Sequence, residues 1–332
     1  MNILNKKIGI LGGGQLGKMM ILEAKRLGFY VITVDPTADC PAHSISDEHI
    51  VKSFTDEEAI FELAEKVDII TYEIEHINVE ALQKLEDAGH VIYPSVSSLR
   101  VIQDKYSQKM TLGENGVMVP RFVKVKNTED ILSAAKTFGY PMMLKARTGG
   151  YDGKGNALIS SGEDISKAFE ALGSGAIGLM VEEFVPFVKE ISVTACRGID
   201  GKRVIYPVSE NIHKNSILDF SIVPARVPDE AIKNAEDVAD RVMSIFEGVG
   251  TFCTEMFVTS DNKIYVNEVA PRPHNSGHYT IEGCFANQFE NHIRAIMRIA
   301  AREYRFNKTY CNEKYDRRRN RNCRISWDRR GI

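Results

Sequence analysis

The sequence predicts an α/β region with a parallel sheet, followed by an α+β region that contains a β-hairpin. Two observations support this division. Strand-like and helix-like segments alternate through residues 1–95, which is typical of a parallel sheet covered by helices on both faces. After residue 99 a glycine-rich segment, a long helical segment and two strands joined by a polar turn replace that alternation.

In the first region, short apolar or β-branched runs predict strands and amphipathic runs predict helices. Pro36 ends the second strand, the acids at the start of residues 56–66 favour a helix N-terminus, and Gly89 ends the third helix. We therefore expect residues 1–98 to form a Rossmann-like domain. Its predicted strands are residues 7–11, 30–34, 67–71 and 91–93, and its predicted helices are residues 16–27, 56–66 and 79–88.

In the second region, residues 99–297, the same rules predict four helices and eight strands, and one of these helices lies between the strands at residues 157–159 and 180–184. Pro228 favours the first turn of the last helix. The other predicted helices are residues 99–112, 129–138 and 228–246. The predicted strands are residues 122–125, 142–146, 157–159, 180–184, 191–196, 204–208, 252–258 and 263–269.

Composition excludes several classes of protein. No apolar run approaches the roughly 18 residues that a membrane span needs. The six cysteines are scattered without a C-x-x-C pair, which argues against structural zinc and a disulfide framework and favours a cytoplasmic location. Residues 298–332 carry 12 Lys or Arg and 4 Asp or Glu, although the whole chain has a net charge of −3. This basic tail is therefore an abrupt change of composition.

Residues 12–17 read G-G-G-Q-L-G between a predicted strand and helix, and Asp35 ends the next strand. A glycine loop at a helix N-terminus lets a phosphate approach the backbone, so this segment taken alone predicts a dinucleotide-binding site and an NAD-dependent oxidoreductase. The alternative is a turn that needs glycine only for close packing. No hydride-transfer site is apparent after residue 100.

A second glycine-rich segment favours a nucleotide triphosphate. Lys145 ends a strand, four glycines follow within residues 149–155, and Lys154 lies among them. Mobile backbone N–H groups and lysine point charges suit phosphates, although the segment does not match the G-x-x-x-x-G-K-[ST] pattern. An ordinary glycine-rich hairpin with solvated lysines is the alternative.

The terminal hairpin predicts a metal site. If Asp261 and Asn262 are the two central turn residues, Glu255 lies directly opposite Glu268. Like charges that face each other across strands are unfavourable unless a cation lies between them, and Mg²⁺ commonly uses one or two carboxylates together with phosphates. Asn267 could add an oxygen ligand. Solvated acids at a sheet edge are the alternative.

Two further segments suit the ends of such a site. Glu182 and Glu183 end a strand and Glu190 follows, an arrangement that fits adenine and ribose recognition. The two prolines of residues 270–278 fix a loop that presents Arg272, His274 and Asn275 to an anionic substrate.

The motifs together resemble the N5-carboxyaminoimidazole ribonucleotide synthetase family of the ATP-grasp class. The resemblance rests on G-G-G-Q-L-G, D-K-Y-x-Q-K at residues 104–109, R-T-G-G-Y-D-G-K-G, E-E-F-V, N-E-V-A-P-R-P-H-N-S-G-H and Q-F-E-N-H-I-R-A-I, over residues 6–297. It implies that an ATP-grasp fold occupies residues 99–297, with a lid at about residues 120–185. It also implies that the first glycine loop faces the substrate and does not bind NAD.

The resemblance implies ATP and Mg²⁺ as cofactors, with 5-aminoimidazole ribonucleotide and bicarbonate as substrates that react through carboxyphosphate. Glu255 and Glu268 would bind the metal. The catalytic positions would be Arg272, His274, Asn275, Asp152 and Lys154, and the substrate-binding positions Gln15, Glu75, Asp152, Lys154 and Arg272. The nucleotide-binding positions would be Lys105, Lys145, Gly150, Tyr151, Gly153, Gly155, Asn156, Glu182, Glu183, Phe184, Val185, Glu190, His213 and Asn267.

The tail departs from that family, whose members continue into a small β-rich domain. We expect residues 298–332 to be disordered, as a truncated or out-of-frame end, and such a chain to bind ATP yet turn over poorly. No nucleic acid or membrane partner is expected, and relatives imply a homodimer. The alternatives are another ATP-grasp carboxylate–amine ligase, a formate-dependent transformylase, a non-catalytic nucleotide-binding protein and the NAD-dependent oxidoreductase.

Overall fold

The computed structural model describes residues 5–150, 155–214 and 216–305. The first sheet has five parallel strands in the order β3-β2-β1-β4-β5. From β1 the chain adds β2 and β3 on one side of the sheet and then β4 and β5 on the other side. A crevice therefore opens beyond the carboxyl ends of β1 and β4. Its elements are β1 (Lys7–Leu11), α1 (Gln15–Arg26), β2 (Tyr30–Val34), β3 (Glu48–Ile50), α2 (Glu57–Lys66), β4 (Ile69–Tyr72), α3 (Val79–Asp87) and β5 (Val91–Ile92).

Both faces of this sheet are buried, as the alternation of strands and helices along the sequence predicts. Helices α2 and α3 cover one face with side chains such as Leu63 and Leu82. Helix α1 covers the other face together with Phe289 and Ile293 from a helix near the end of the described chain. The parallel-sheet prediction is confirmed, and the three-residue strand β3 is an element that the sequence pattern did not reveal.

Residues 99–112, predicted as one helix, form parts of two: α4 (Val96–Ile102) and α5 (Lys105–Glu114). The break occurs because the Asp104 side chain accepts hydrogen bonds from the backbone N–H groups of Tyr106 (2.9 Å) and Ser107 (3.3 Å) and so begins a new helix. The break places Lys105 at the first position of α5.

A four-stranded antiparallel sheet, here called the lid sheet, follows in the order β6-β9-β7-β8. Helices α6 and α7 pack on one of its faces through side chains such as Ile131 and Ile165. The elements are β6 (Phe122–Val125), α6 (Thr128–Phe138), β7 (Met142–Ala146), β8 (Asn156–Ile159), α7 (Asp164–Ala171) and β9 (Leu179–Glu183).

The third sheet, here called the large sheet, has six antiparallel strands in the order β13-β12-β10-β14-β15, with β11 paired to β10. Helix α8 buries Ala235, Ala239 and Val242 against it. Strands β12 and β13 were not predicted. The strand expected at residues 204–208 corresponds to β11, which ends at Ile205. The elements are β10 (Phe187–Arg197), β11 (Arg203–Ile205), β12 (Ser209–Lys214), β13 (Ile217–Ile222), α8 (Asp229–Ile245), β14 (Gly250–Thr259), β15 (Ile264–Ala270), α9 (Thr280–Gly283) and α10 (Gln288–Ile296).

The start of the basic tail packs against the body. Ile299 contacts the core beneath the first sheet, and Tyr304 packs near Tyr206 with ring centroids 5.9 Å apart. Asn291 exchanges two hydrogen bonds of 2.9 Å with the backbone of Arg302. The remainder of the tail, residues 306–332, lies outside the described residues. No helix built from the described residues has the length and apolar character that crossing a membrane requires.

Candidate active site

A cleft of about 740 Å³ lies between the lid sheet, the large sheet and the carboxyl end of the first sheet. Four predicted site residues, Tyr151, Asp152, Gly153 and Lys154, lie outside the described residues. The cleft is lined by all the other predicted site residues: Gln15, Glu75, Lys105, Lys145, Gly150, Gly155, Asn156, Glu182, Glu183, Phe184, Val185, Glu190, His213, Glu255, Asn267, Glu268, Arg272, His274 and Asn275.

Lysines converge at the centre of the cleft. Lys145, near the end of β7, lies 2.8 Å from Glu182 and donates a 3.1 Å hydrogen bond to the Asn267 side chain. Lys105, at the start of α5, forms an ion pair with Glu268. Burial opposes the charge of Lys105, but Glu268 outweighs burial and raises the pKa of this lysine. Lys105 is therefore held as a charged group, and both lysines line the cleft.

A third lysine, Lys109 of α5, was not among the predicted site residues. It is 1% exposed, lies 3.1 Å from Glu182 and donates a 2.8 Å hydrogen bond to the backbone carbonyl of Asn267. Burial lowers the pKa of Lys109 to about 8 despite the neighbouring carboxylate. The signal available in the sequence was its spacing of four residues from Lys105, which places both on one face of α5.

The hairpin pairs Glu255 with Glu268, as predicted, but the length of the turn and the regularity of the strand differ from the prediction. The turn has three central residues, 260–262, with Asn262 in a left-handed conformation (φ 60°), so the register beside the turn differs by one from the prediction. A β-bulge at Asn267 restores it. Because a bulge places two residues opposite one, Asn267 and Glu268 both line the cleft, which strict strand alternation forbids.

The two facing carboxylates are electrostatically unequal. Burial, and next the charge of Glu268, raise the pKa of Glu255, whereas Lys105 lowers the pKa of Glu268. Within the described ranges, no group of three or more His, Cys, Asp or Glu side chains could by itself hold a metal ion. Two carboxylates nevertheless fit Mg²⁺ when nucleotide phosphates complete its coordination. A cation between the two facing carboxylates would also relieve their mutual repulsion.

His274 is held as a neutral imidazole beside this pair. Burial, reinforced by the charge of Arg272, lowers the pKa of His274 to about 3. Its Nδ1 accepts a 3.3 Å hydrogen bond from the backbone N–H of Ser276, so its Nε2 carries the proton. That Nε2 lies 3.5 Å from Glu255. The loop therefore presents a hydrogen-bond donor, and not a positive charge, to the cleft.

One end of the cleft is an apolar slot with an acidic edge. Phe187 stacks on Phe257 with ring centroids 4.7 Å apart, and Phe184 lies beside them at 6.4 Å. Glu190 lies 2.9 Å from His213, and this contact raises the pKa of His213 against the effect of burial. Aromatic side chains with a nearby carboxylate suit a nucleoside, since a planar base stacks and ribose hydroxyls donate. Phe187 and Phe257 were missed because isolated aromatic residues in strands usually indicate a core.

Two of the acids predicted for this end are already paired. Glu183 accepts hydrogen bonds from the backbone (2.9 Å) and side chain (2.5 Å) of Arg121. The Glu182 carboxylate, 2% exposed, is held between the two lysines described above. Of these two residues, only the backbone groups are therefore open to a nucleoside.

The opposite end of the cleft adjoins the first sheet. Arg272 is partly buried and lies 2.8 Å from Glu75, and a second guanidinium nitrogen donates to the same carboxylate at 3.2 Å. Glu75 raises the pKa of Arg272 although burial opposes the charge. Gln15 and Asn275 line this end as well. A fixed positive charge with amide groups around it suits an anionic substrate.

The glycine N–H groups of the first loop already have acceptors within the protein. The Glu73 carboxylate, which follows β4, accepts hydrogen bonds from the N–H groups of both Gly14 and Gly17. Asp35 accepts from the N–H group of Gly13 at 2.8 Å. A Cβ at Gly12 would lie 2.6 Å from Glu73, so glycine is needed here for the approach of this carboxylate. The dinucleotide hypothesis is wrong because the position of a pyrophosphate is taken by Glu73.

Fold and site together define an ATP-grasp ligase. Residues 110–289 match the family described as the ATP-grasp domain, and residues 5–103 match the ribonucleotide synthetase preATP-grasp domain. The N5-carboxyaminoimidazole ribonucleotide synthase of Staphylococcus aureus strain COL is 41% identical over 289 residues, which cover 87% of this chain and 76% of that protein. The chain belongs to the N5-carboxyaminoimidazole ribonucleotide synthetase family.

Two further relatives extend this assignment. The phosphoribosylaminoimidazole carboxylase of Schizosaccharomyces pombe is 45% identical over 87% of this chain, and the match spans 52% of that longer protein. The crystal structure of the Aspergillus clavatus N5-carboxyaminoimidazole synthase, a complex with ADP and 5-aminoimidazole ribonucleotide, superposes with a TM-score of 0.84 at 36% identity. The superposition covers 90% of this chain and 78% of that one.

Proposed function

We propose that this chain carboxylates 5-aminoimidazole ribonucleotide with bicarbonate at the expense of ATP, giving N5-carboxyaminoimidazole ribonucleotide, ADP and phosphate in purine biosynthesis. The observation that carries the proposal is the convergence of Lys105, Lys145, Glu255 and Glu268 in one cleft, in a member of this family. Lysine charges and a carboxylate pair are the groups that phosphoryl transfer requires.

In the first step, a bicarbonate oxygen attacks the γ-phosphorus of ATP, and the bond to the β-phosphate oxygen breaks to release ADP. Lys105 and Lys145 would neutralise the phosphates during this transfer. Glu255 and Glu268 would hold Mg²⁺, which supplies charge neutralisation and orients the phosphate oxygens when bound. The product is carboxyphosphate, a mixed anhydride of carbonic and phosphoric acid.

In the second step, the exocyclic amine of the ribonucleotide attacks the carboxyl carbon, the bond to phosphate breaks, and the amine loses a proton. Arg272, His274 and Asn275 would surround the carboxyl group, since they line the cleft beside Glu255. Arg272 would attract the anion and the Nε2–H of His274 would donate a hydrogen bond to it. Gln15 and Glu75 would contact the ribonucleotide, and Asp152 and Lys154 remain predicted participants outside the described residues.

Omission of single substrates tests this proposal. Purified chain with Mg-ATP, bicarbonate and 5-aminoimidazole ribonucleotide should release ADP, and release should fall to background when the ribonucleotide is left out. Stimulation by formate and not by bicarbonate would favour the transformylase, and stimulation by another amine would favour a different ligase. Nucleotide binding that no substrate converts into turnover would contradict the proposed activity.

We also propose that the chain acts on small molecules in the cytoplasm as a homodimer. The support for small-molecule substrates is the family and the enclosed cleft. The support for the homodimer is the family resemblance alone. Light scattering coupled to size-exclusion chromatography measures the mass, and a species at the single-chain mass of 37.2 kDa would contradict the homodimer.

A further inference from the structure

Lys109 is a buried charge that does not line the cleft. It lies on α5, one turn after Lys105, and its side chain is only 1% exposed. A lysine at such a depth is unfavourable unless it is paired, so its retention beside a nucleotide site needs a reason. Because it cannot reach a ligand in the cleft, any effect on the reaction has to pass through its neighbours.

Lys109 and its neighbours form a closed ring of four residues. The two Glu182 oxygens lie 3.1 Å from Lys109 and 2.8 Å from Lys145. Asn267 completes the ring, because its backbone carbonyl accepts from Lys109 at 2.8 Å and its side-chain oxygen accepts from Lys145 at 3.1 Å. The ring joins α5, two strands of the lid sheet and the bulged strand of the large sheet.

Charge within the ring depends on Lys109. Two lysines and one carboxylate give a net charge of +1, which leaves one positive charge directed at the cleft through Lys145. Without Lys109, Glu182 would neutralise Lys145 fully and the net charge would be zero. At separations near 3 Å in a buried site, such a change alters the attraction for a phosphate strongly.

We propose that Lys109 is a positioning residue that neutralises Glu182, so that Lys145 keeps its charge for the nucleotide phosphates. Lys109 also fixes the backbone of Asn267 at the bulge, and the side chain of Asn267 in turn accepts a hydrogen bond from the Lys145 ammonium. The inference rests on the proposed function only in taking the ligand of Lys145 to be a nucleoside triphosphate. It assigns a role to the last residue of the D-K-Y-x-Q-K motif, which the proposed reaction leaves without one.

The first test compares nucleotide affinity in Lys109→Met with that of the unaltered chain. Titration calorimetry with Mg-AMPPNP should give a Kd about 10-fold weaker in the variant. In steady-state assays the KM for ATP should rise similarly, and kcat should fall as well, because Lys145 also faces the transferring phosphate. An unchanged Kd, or a loss confined to kcat, would overturn the inference.

The second test removes the carboxylate as well. Lys109→Met combined with Glu182→Gln restores a net charge of +1 through Lys145 alone, so the Kd should return to within about 3-fold of the original. A purely structural role of Lys109 predicts the reverse, since two altered buried groups disturb the ring more than one. A double variant that binds no better than Lys109→Met would refute the charge explanation.

Two further variants keep the test decisive. Glu182→Gln alone should bind Mg-AMPPNP at least as tightly as the original chain, and this arm decides the matter if Lys109→Met does not fold. Arg203→Met is the matched control, because it removes a 2.8 Å ion pair with Asp240 outside the cleft and should leave the Kd unchanged. All affinities are measurable without turnover, so failure of the carboxylation assay and failure of this inference are distinguishable.

Discussion

Two segments of this chain are rich in glycine and follow a strand, yet they deal with negative charge in opposite ways. The loop after β1 turns its N–H groups onto Glu73, an acid of the same chain. The segment after β7 begins beside Lys145 and lines the cleft at Gly149, Gly150 and Gly155. The glycine N–H groups of the first loop are therefore already satisfied, whereas the second segment lines the cleft.

The comparison shows that glycine spacing identifies a close backbone approach but not the group that approaches. In the first loop the approaching group is a buried carboxylate, which satisfies donors that would otherwise be orphaned. In the second, Gly150 and Gly155 close the neck of the loop, where a Cβ on Gly155 would lie 2.8 Å from the Gly150 backbone. What separates the two is the sign of the neighbouring charge.

The largest expected effect is at the open segment. Lys145→Met should lower ribonucleotide-dependent ADP release by about 100-fold, because it removes a preorganised charge at the transferring phosphate. Lys124→Met, on the same lid sheet but exposed, should keep activity within about 3-fold. Equal activities of the two variants would show that the second segment is not the phosphate site.

The closed loop should respond in stability. Glu73→Ala leaves the N–H groups of Gly14 and Gly17 without their acceptor, so the free energy of unfolding should fall by about 2–3 kcal/mol in urea titrations. Sulfate should recover more stability in this variant than in the original chain, since it can occupy the vacated donors. Glu80→Ala, which removes an exposed pair with Arg100, serves as control and should lose much less stability. A loss in Glu73→Ala no greater than that of the control would contradict the closed-loop description.

Proton release should mark the open site and not the closed loop. Burial and Glu268 raise the pKa of Glu255 to about 7, so this acid is about half protonated at neutral pH and must lose its proton to bind a cation. Calorimetry of Mg-AMPPNP binding in two buffers of different ionisation enthalpy should report about half a proton released at pH 7. Glu255→Gln should abolish this release. Release of the same size in Glu255→Gln would assign it elsewhere.

The smallest expected effect is a difference in the pH dependence of stability. Burial raises the pKa of Glu73 above 4.5, so the folded state holds this proton longer and stability falls as pH rises from 4.5 through the folded pKa. For Glu182, burial is outweighed by Lys109 and Lys145, the pKa is lowered, and stability falls as pH falls from 4.5. For each Gln variant, the difference in free energy of unfolding from the original chain can be measured in urea from about pH 4 to about pH 6. This difference should change with pH in opposite directions for Glu73→Gln and Glu182→Gln, by less than about 1 kcal/mol in each case. Slopes of the same sign would refute one assignment.

Periodicity and turn residues predict most elements of the fold, but not the local details that complete the site. The facing of Glu255 and Glu268 follows from the sequence, whereas the three-residue turn and the Asn267 bulge that produce it do not. The extra residue in the turn shifts the pairing register by one, and the extra residue at the bulge shifts it back. Because the two shifts cancel, the alternation of residues along the strands cannot reveal either of them. The helix break at Asp104 was predictable in principle, since Asp is a preferred N-cap.

The contacts that the sequence could not supply are long-range. Glu73 reaches the glycine loop across 59 residues, and Lys109 reaches Asn267 across 158. Nothing in a local window distinguishes Glu73 from Glu75, and the resemblance to the family favoured the second. Only the order of strands in the first sheet, with β4 beside β1, places Glu73 under the loop.

The bulge has a genetic consequence. Loss of codon 267 would leave a regular hairpin in which Glu255 still faces Glu268, yet it would remove the carbonyl and the amide that hold Lys109 and Lys145. Loss of one codon in the turn would instead leave a two-residue turn between Thr259 and Lys263, which keeps the strand register and the bulge. Two single-codon deletions fewer than ten positions apart would thus differ in effect, because only the deletion at the bulge removes the groups that hold the two lysines.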